Sequence, residues 1–208
     1  MPAATQVELL QELTLVGIRM PVTLCPPVPL TDEEMMVFSR QNRPYQIERN
    51  PRGELEIMSP VGSDGSRWEA LVIMELSLWA RDHGGVTFSS SGGFTLLDGS
   101  TRSPDAAWVA ETRWNALTRE QRSRYAPICP DFVVEILSSS DSPVRLIEKM
   151  ETWLANGARL AWMIDPYAGV VRIFRPGHQI ELLERPDSVE ADDVLRGFRL
   201  TTRLLWDE

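Results

Sequence analysis

Residues 131–165 constrain this chain more than any other stretch. Asp131-Phe132-Val133-Val134-Glu135-Ile136-Leu137 is an apolar run of strand length, and Leu160 to Asp165 is a second one. Between them Ser142-Pro143 starts a helix that continues to about Asn156, and Gly157 closes it. A strand, a helix and a second apolar strand make a right-handed βαβ crossover with its two strands parallel. Both faces of the first strand look buried, so its one acidic interior residue, Glu135, is costly there unless it is paired or metal-bound.

Around that unit the pattern is antiparallel. Val7 to Leu15 fits a short amphipathic helix, and Pro21 to Pro29 reads as an extended linker. Thr31 caps a helix through about Ser39, with Asp32, Glu33 and Glu34 loading its first turn. Arg43 to Glu48 and Glu54 to Ser59 form a hairpin around Asn50-Pro51-Arg52-Gly53. A helix over 63–83 carries Leu71, Val72, Met74, Leu76, Leu78 and Trp79 on a wide face, which predicts that it is well buried. Strands are expected at Val86 to Ser90, Gly92 to Leu97 and Ala106 to Ala110, followed by an arginine-rich helical insert over 111–124. The tail should add strands at Gly169 to Arg175 and Gln179 to Leu183, and a last pair near Val194 to Leu200. The expected fold class is α/β, a mixed sheet with flanking helices around the strand-helix-strand crossover. Residues 1–30 are expected to be an extension and proline-rich linker, and 31–208 a single domain.

Composition removes several function classes. A 43% hydrophobic share with 25% charged residues fits a soluble globular chain. No apolar run is long enough to span a bilayer, and acidic residues precede the first arginine, so a cytoplasmic protein without a membrane partner is expected. Cys25 and Cys129 stand far apart, and with only His83 and His178 to join them no zinc spacing arises. No P-loop or dinucleotide fingerprint occurs. The serine runs at 89–91 and 138–140 lack the Gly-x-Ser-x-Gly elbow of a hydrolase triad. A net charge of −9 argues against a general nucleic-acid coat but allows a local basic groove. Arg113, Arg119, Arg122 and Arg124 cluster in one segment, for which a solvated helix face is the simpler reading. Trp68 and Trp114 are the two tryptophans to test for base stacking, with core packing the simpler role.

Three residues can converge on phosphodiester chemistry. Lys149 is the only lysine among 21 basic residues, and an ammonium is a compact point charge where guanidinium is a broad fork. It lies about six residues into the crossover helix, roughly 9 Å along the axis. Helical side chains slant toward the N-terminus, so its tip can fold back on Glu135. Asp131 shares a strand face with Glu135 but stands about 13 Å away, too far for one metal. If Asp105 to Val109 pairs antiparallel with 131–137, Asp105 falls near Glu135. Two carboxylates suit magnesium, and a nearby ammonium can hold the attacking water or offset charge on the phosphorane-like transition state.

Ser103-Pro104-Asp105, Pro130-Asp131-Phe132-Val133-Val134-Glu135-Ile136-Leu137-Ser138 and Glu148-Lys149 together resemble the Uma2 family of restriction-endonuclease-like proteins. So do Ala155-Asn156-Gly157-Ala158-Arg159-Leu160, Ile164-Asp165-Pro166 and Arg175-Pro176-Gly177, and the resemblance spans about Glu33 to Leu200. It implies a PD-(D/E)xK nuclease core with Asp105 and Glu135 as ligands of Mg2+, for which Mn2+ can substitute, and DNA as the partner. The superfamily's lysine two residues after the glutamate is replaced here by Leu137, and the resemblance assigns its role to Lys149 on the following helix. The superfamily often adds an acid from the first core helix, where Glu69 is preferred slightly over Asp64. A homodimer would serve double-strand cutting, although no interface signature is visible. The competing expectation is a catalytically weak or inactive nucleic-acid-binding module on the same scaffold.

Overall fold

The computed structural model describes residues 20–139, 141–192 and 194–206, so the helix expected at Val7 to Leu15 lies outside the described residues. The elements begin with β1 (Val22–Leu24), α1 (Asp32–Gln41), β2 (Gln46–Arg49), β3 (Leu55–Met58) and α2 (Ser63–His83). Next come β4 (Val86–Ser89), β5 (Phe94–Thr95), β6 (Thr101–Arg102), β7 (Ala106–Val109), α3 (Glu111–Asn115) and α4 (Arg119–Arg122). The crossover follows as β8 (Phe132–Ile136), α5 (Pro143–Ala155) and β9 (Leu160–Asp165). The chain closes with β10 (Val170–Phe174), β11 (Glu181–Glu184), β12 (Val189–Glu190), β13 (Arg199–Leu200) and α6 (Arg203–Trp206).

A mixed sheet ordered β11-β10-β9-β8-β7-β4 is the centre, and a second, smaller sheet is ordered β1-β3-β2-β6-β5. β8 and β9 run parallel, from Phe132 opposite Leu160 to Ile136 opposite Ile164. β7 joins β8 antiparallel, with Ala106 opposite Val134, so Asp105 falls across from Glu135 as the strand reading requires.

Alternation on β8 splits the core in two. Phe132, Val134 and Ile136 pack with Trp162, Ile164 and the α2 residues Trp68, Val72 and Leu76. Val133 and Leu137 pack on the other side with Ala161, Met163 and the α5 residues Leu146, Met150 and Trp153. Those three α5 residues recur at helical spacing, and Met150 and Trp153 are completely buried. Each such side chain contributes about 1.5–3 kcal/mol of transfer free energy. This seam fixes the rotation of α5 and places Lys149 at its edge.

Several local expectations change. On α2 the buried residues are Trp68, Val72, Leu76 and Ala80, while Met74 and Leu78 are exposed, because the helix rests one narrow face on the sheet. The arginine-rich insert is two short helices, since Thr118 forms a fresh capping box with Gln121 and restarts the helix as α4. The proline-rich linker contributes β1 as an edge strand against β3. The last pair joins β12 to β13, with Val189 opposite Leu200, and does not begin at Val194. β6 and α6 were too short to show in the sequence pattern. Among the described residues no helix is long and apolar enough to cross a membrane.

Candidate active site

Glu135 lies inside β8 on the α5 side of the sheet and is almost fully buried. Its Oε1 accepts a hydrogen bond from Trp153 Nε1 at 2.9 Å. The Lys149 ammonium is 2.9 Å from Oε1 and 3.0 Å from Oε2. The apolar seam of α5 anchors Trp153 and, by helical geometry, swings Lys149 back over the preceding strand.

Asp105 directly precedes β7 on the same side of the sheet and keeps some solvent exposure. Its Oδ2 accepts the Ile136 N–H at 2.6 Å, which ties the acid to the strand carrying Glu135. Burial, and then the Glu135 and Glu69 carboxylates, push the Asp105 carboxyl well above its usual range, against the pull of Lys149. Burial also pushes Glu135 up, to about 6, with Glu48 adding repulsion and Lys149 opposing it. Glu69, from the first turns of α2, is half-buried, accepts the Ser90 hydroxyl at 2.9 Å and has its carboxyl raised by burial. Asp64, the other acid considered on α2, is exposed.

Sequence reasoning missed Glu48. This residue of β2 is buried, and its Oε1 lies 2.9 Å from Lys149 Nζ while accepting the Ser103 N–H at 2.9 Å. Its Oε2 accepts a hydrogen bond from Arg102 Nη1 at 2.8 Å, and the same guanidinium nitrogen also contacts Glu56. Burial would raise the Glu48 carboxyl, but Lys149 and Arg102 outweigh it and hold it below its ordinary value. That contrast separates two acids sharing one ammonium: Glu48 has a second cation and a backbone donor, and Glu135 has only an indole N–H besides. Lys149 also donates to the Ser103 carbonyl at 3.3 Å. Burial works against its charge, yet Glu135, Glu48 and Asp105 together raise its pKa above the ordinary lysine value. The only signal for Glu48 in the sequence was an acid two residues before the hairpin turn, where exposure is the default.

Asp131 has a structural job. It accepts the Ala110 N–H at 2.9 Å through Oδ2 and pairs with Arg113 at 2.9 Å through Oδ1, locking the start of β8 to the end of β7.

Among the described residues no group of three or more His, Cys, Asp or Glu side chains is placed to hold a metal ion by itself. Magnesium does not require such a cage, since one or two carboxylates with waters and substrate phosphate suffice. Asp105 and Glu135 fit that pattern as hard oxygen donors on one sheet face that are short of positive charge: Glu135 divides the Lys149 ammonium with Glu48, Asp105 feels that charge only at longer range, and Arg102 pairs with Glu48 and Glu56, not with either of them.

The mixed α/β fold that carries these residues has a counterpart in a solved structure. That structure is a putative nuclease of DUF820 from Anabaena variabilis ATCC 29413, with a TM-score of 0.69 at 20% identity, over 86% of this chain and 98% of that one. The two chains share one fold. The model of the Uma2 family, described as a putative restriction endonuclease, matches residues 32–203, and the chain belongs to that family. A DrdV–DNA complex is more distant, with a TM-score of 0.40 and 14% identity over 69% of this chain and 12% of that one. No curated protein matches the chain.

Proposed function

We propose that this chain is a Mg2+-dependent DNA endonuclease, with Mn2+ able to substitute, that hydrolyses phosphodiester bonds at Asp105, Glu135 and Lys149. The observation that carries the reading is the convergence of those three side chains, one from the turn that leads into β7, one from β8 and one from the crossover helix. Asp105 and Glu135 would hold the cation, which when bound supplies Lewis-acid polarisation of the phosphoryl oxygen and activation of water. Trp153 Nε1 and the Ile136 N–H orient the two acids, so their oxygens are preorganised. Lys149 places a positive charge beside the reacting phosphate, and Glu48 keeps that ammonium over Glu135. Glu69, set by Ser90, adds negative charge that acts on Asp105.

One observation favours the second reading, a catalytically weak or inactive nucleic-acid-binding module. The Lys149 ammonium already has Glu135, Glu48 and the Ser103 carbonyl as acceptors, which saturates its three donors. The two readings separate in one experiment. Supercoiled and linear DNA are incubated with wild type and Glu135→Gln in Mg2+, Mn2+ or EDTA, and Mn2+ binding is titrated calorimetrically in parallel. Metal-dependent nicking that disappears in Glu135→Gln, together with Mn2+ binding weakened at least tenfold in Asp105→Asn, is the expected result. Uncut DNA while the wild type binds Mn2+ would end the endonuclease reading.

A further inference from the structure

The Ser90–Gly93 turn connects the acid cluster to a second feature. Because Ser89 pairs with Ala106, the next residue, Ser90, falls beside Asp105, and its hydroxyl holds Glu69. One residue further on, Ser91, Gly92 and Gly93 enter the wall of a cavity of about 300 Å³. Arg40, Arg43, Arg122 and Arg124 also line it, together with the rings of Trp114 and Tyr125, and among the described residues no acidic side chain does. Among the described residues the one carboxylate ion-paired with any of these arginines is the exposed Glu120, at 2.9 Å from Arg124. In a chain of net charge −9, four guanidiniums around one hollow mark a local reversal of sign.

The aromatic part is as organised as the basic part. The Arg122 guanidinium lies over the Trp114 ring, 5.3 Å from its centroid, and Arg122 Nε is buried without a hydrogen-bond partner. Trp114 is fixed from the side by Phe88 at 5.0 Å between ring centroids. Gly93 lies so close to Tyr125 that a Cβ would come within 2.1 Å of the ring, so only glycine lets the turn rest on it. A free inorganic anion would have no use for the rings, and an apolar ligand none for the guanidiniums. A nucleotide uses both, since phosphate takes the cations and the base stacks on an aromatic face.

We propose that this cavity receives an unpaired nucleotide of the nucleic-acid strand whose backbone passes Asp105 and Glu135. The inference takes its substrate class from the nuclease reading and deepens it. The site would therefore favour substrates with a gap, a flap or a single-stranded segment at the cleavage position, because a base held in a stacked duplex cannot enter the hollow.

The test is metal-free binding of a short single-stranded oligonucleotide containing 2-aminopurine, in EDTA, read by anisotropy and by quenching of the 2-aminopurine fluorescence. Wild type should bind and quench. Arg40→Gln/Arg43→Gln, at two exposed positions outside the core, should bind at least tenfold more weakly and lower the slope of log affinity against log salt by about 1.4, as expected for two lost phosphate contacts on a single strand. Trp114→Leu should keep the salt slope and lose most of the quenching. Absence of quenching in wild type, or wild-type slope and quenching in both variants, overturns the proposal. Arginine-dependent quenching in a protein that cuts no DNA would sustain the cavity and remove the nuclease reading. Metal-dependent cutting with an unaltered Arg40→Gln/Arg43→Gln variant would do the reverse.

Discussion

Replacing Lys149 with methionine removes the ammonium that two buried carboxylates share while keeping most of the side chain's apolar stem. Lys149 contacts Glu135 and Glu48 at 2.9 Å each, with side-chain exposures of 4% and 2% for the two acids. Removing one partner of a buried ion pair costs about 3–5 kcal/mol, because the remaining charge is stranded. The two acids do not share that loss equally. Glu48 keeps Arg102 and the Ser103 N–H, whereas Glu135 keeps only the Trp153 indole. The cost therefore falls mainly on Glu135, and Lys149→Met/Glu135→Gln should recover more than half of it, since the amide oxygen can still accept from Trp153. Urea unfolding followed by tryptophan fluorescence measures the cycle. At about 2–4 °C per kcal/mol for a chain of this size, the single variant should melt roughly 6–20 °C below wild type. A loss under about 1 kcal/mol, or a double variant no more stable than the sum of the singles, would refute the assignment of Lys149 as the shared counter-charge.

Two further outcomes test the frame around the site. Thr31→Ala removes the acceptor for the Glu34 N–H in the α1 capping box and should cost about 1 kcal/mol near neutral pH. The Thr31 N–H, then its hydroxyl, hold the Glu34 carboxyl below its ordinary value, so that contribution is present above the unfolded pKa and is lost as pH falls through the folded one. The gap in Tm between wild type and Thr31→Ala should accordingly narrow below about pH 4, and a gap constant from pH 7 to 3 would contradict the box. Burial pushes the Cys129 thiol up to about 12, while Cys25 is exposed. An aromatic disulfide reagent should therefore titrate one thiol rapidly in the native protein and the second only on unfolding; two rapid equivalents would show that the α5 seam is open.

The crossover was legible from residues 131–165 alone. A β-branched run, a Ser-Pro helix start, a Gly stop and a second apolar run admit few other arrangements, and the observed β8, α5 and β9 follow them closely. Strand alternation and helix phase then carried Asp105, Glu135 and Lys149 to one place, because those periodicities are local properties of the chain. Glu48 was invisible for the opposite reason. Its burial depends on the small sheet folding against the Ser103-Pro104-Asp105 turn, a contact across fifty-five positions of sequence that no local pattern encodes. The arginines of 113–124 read locally as a solvated face, and Arg119 and Arg124 are exposed; that Arg122 and Arg124 also stand beside Arg40, Arg43 and the Ser90–Gly93 turn is again a long-range contact. Sequence determined which segments could be strand or helix and which acids were out of place in them. Tertiary structure decided which charges meet, since the energy of a buried ion depends on neighbours from every layer that closes over it.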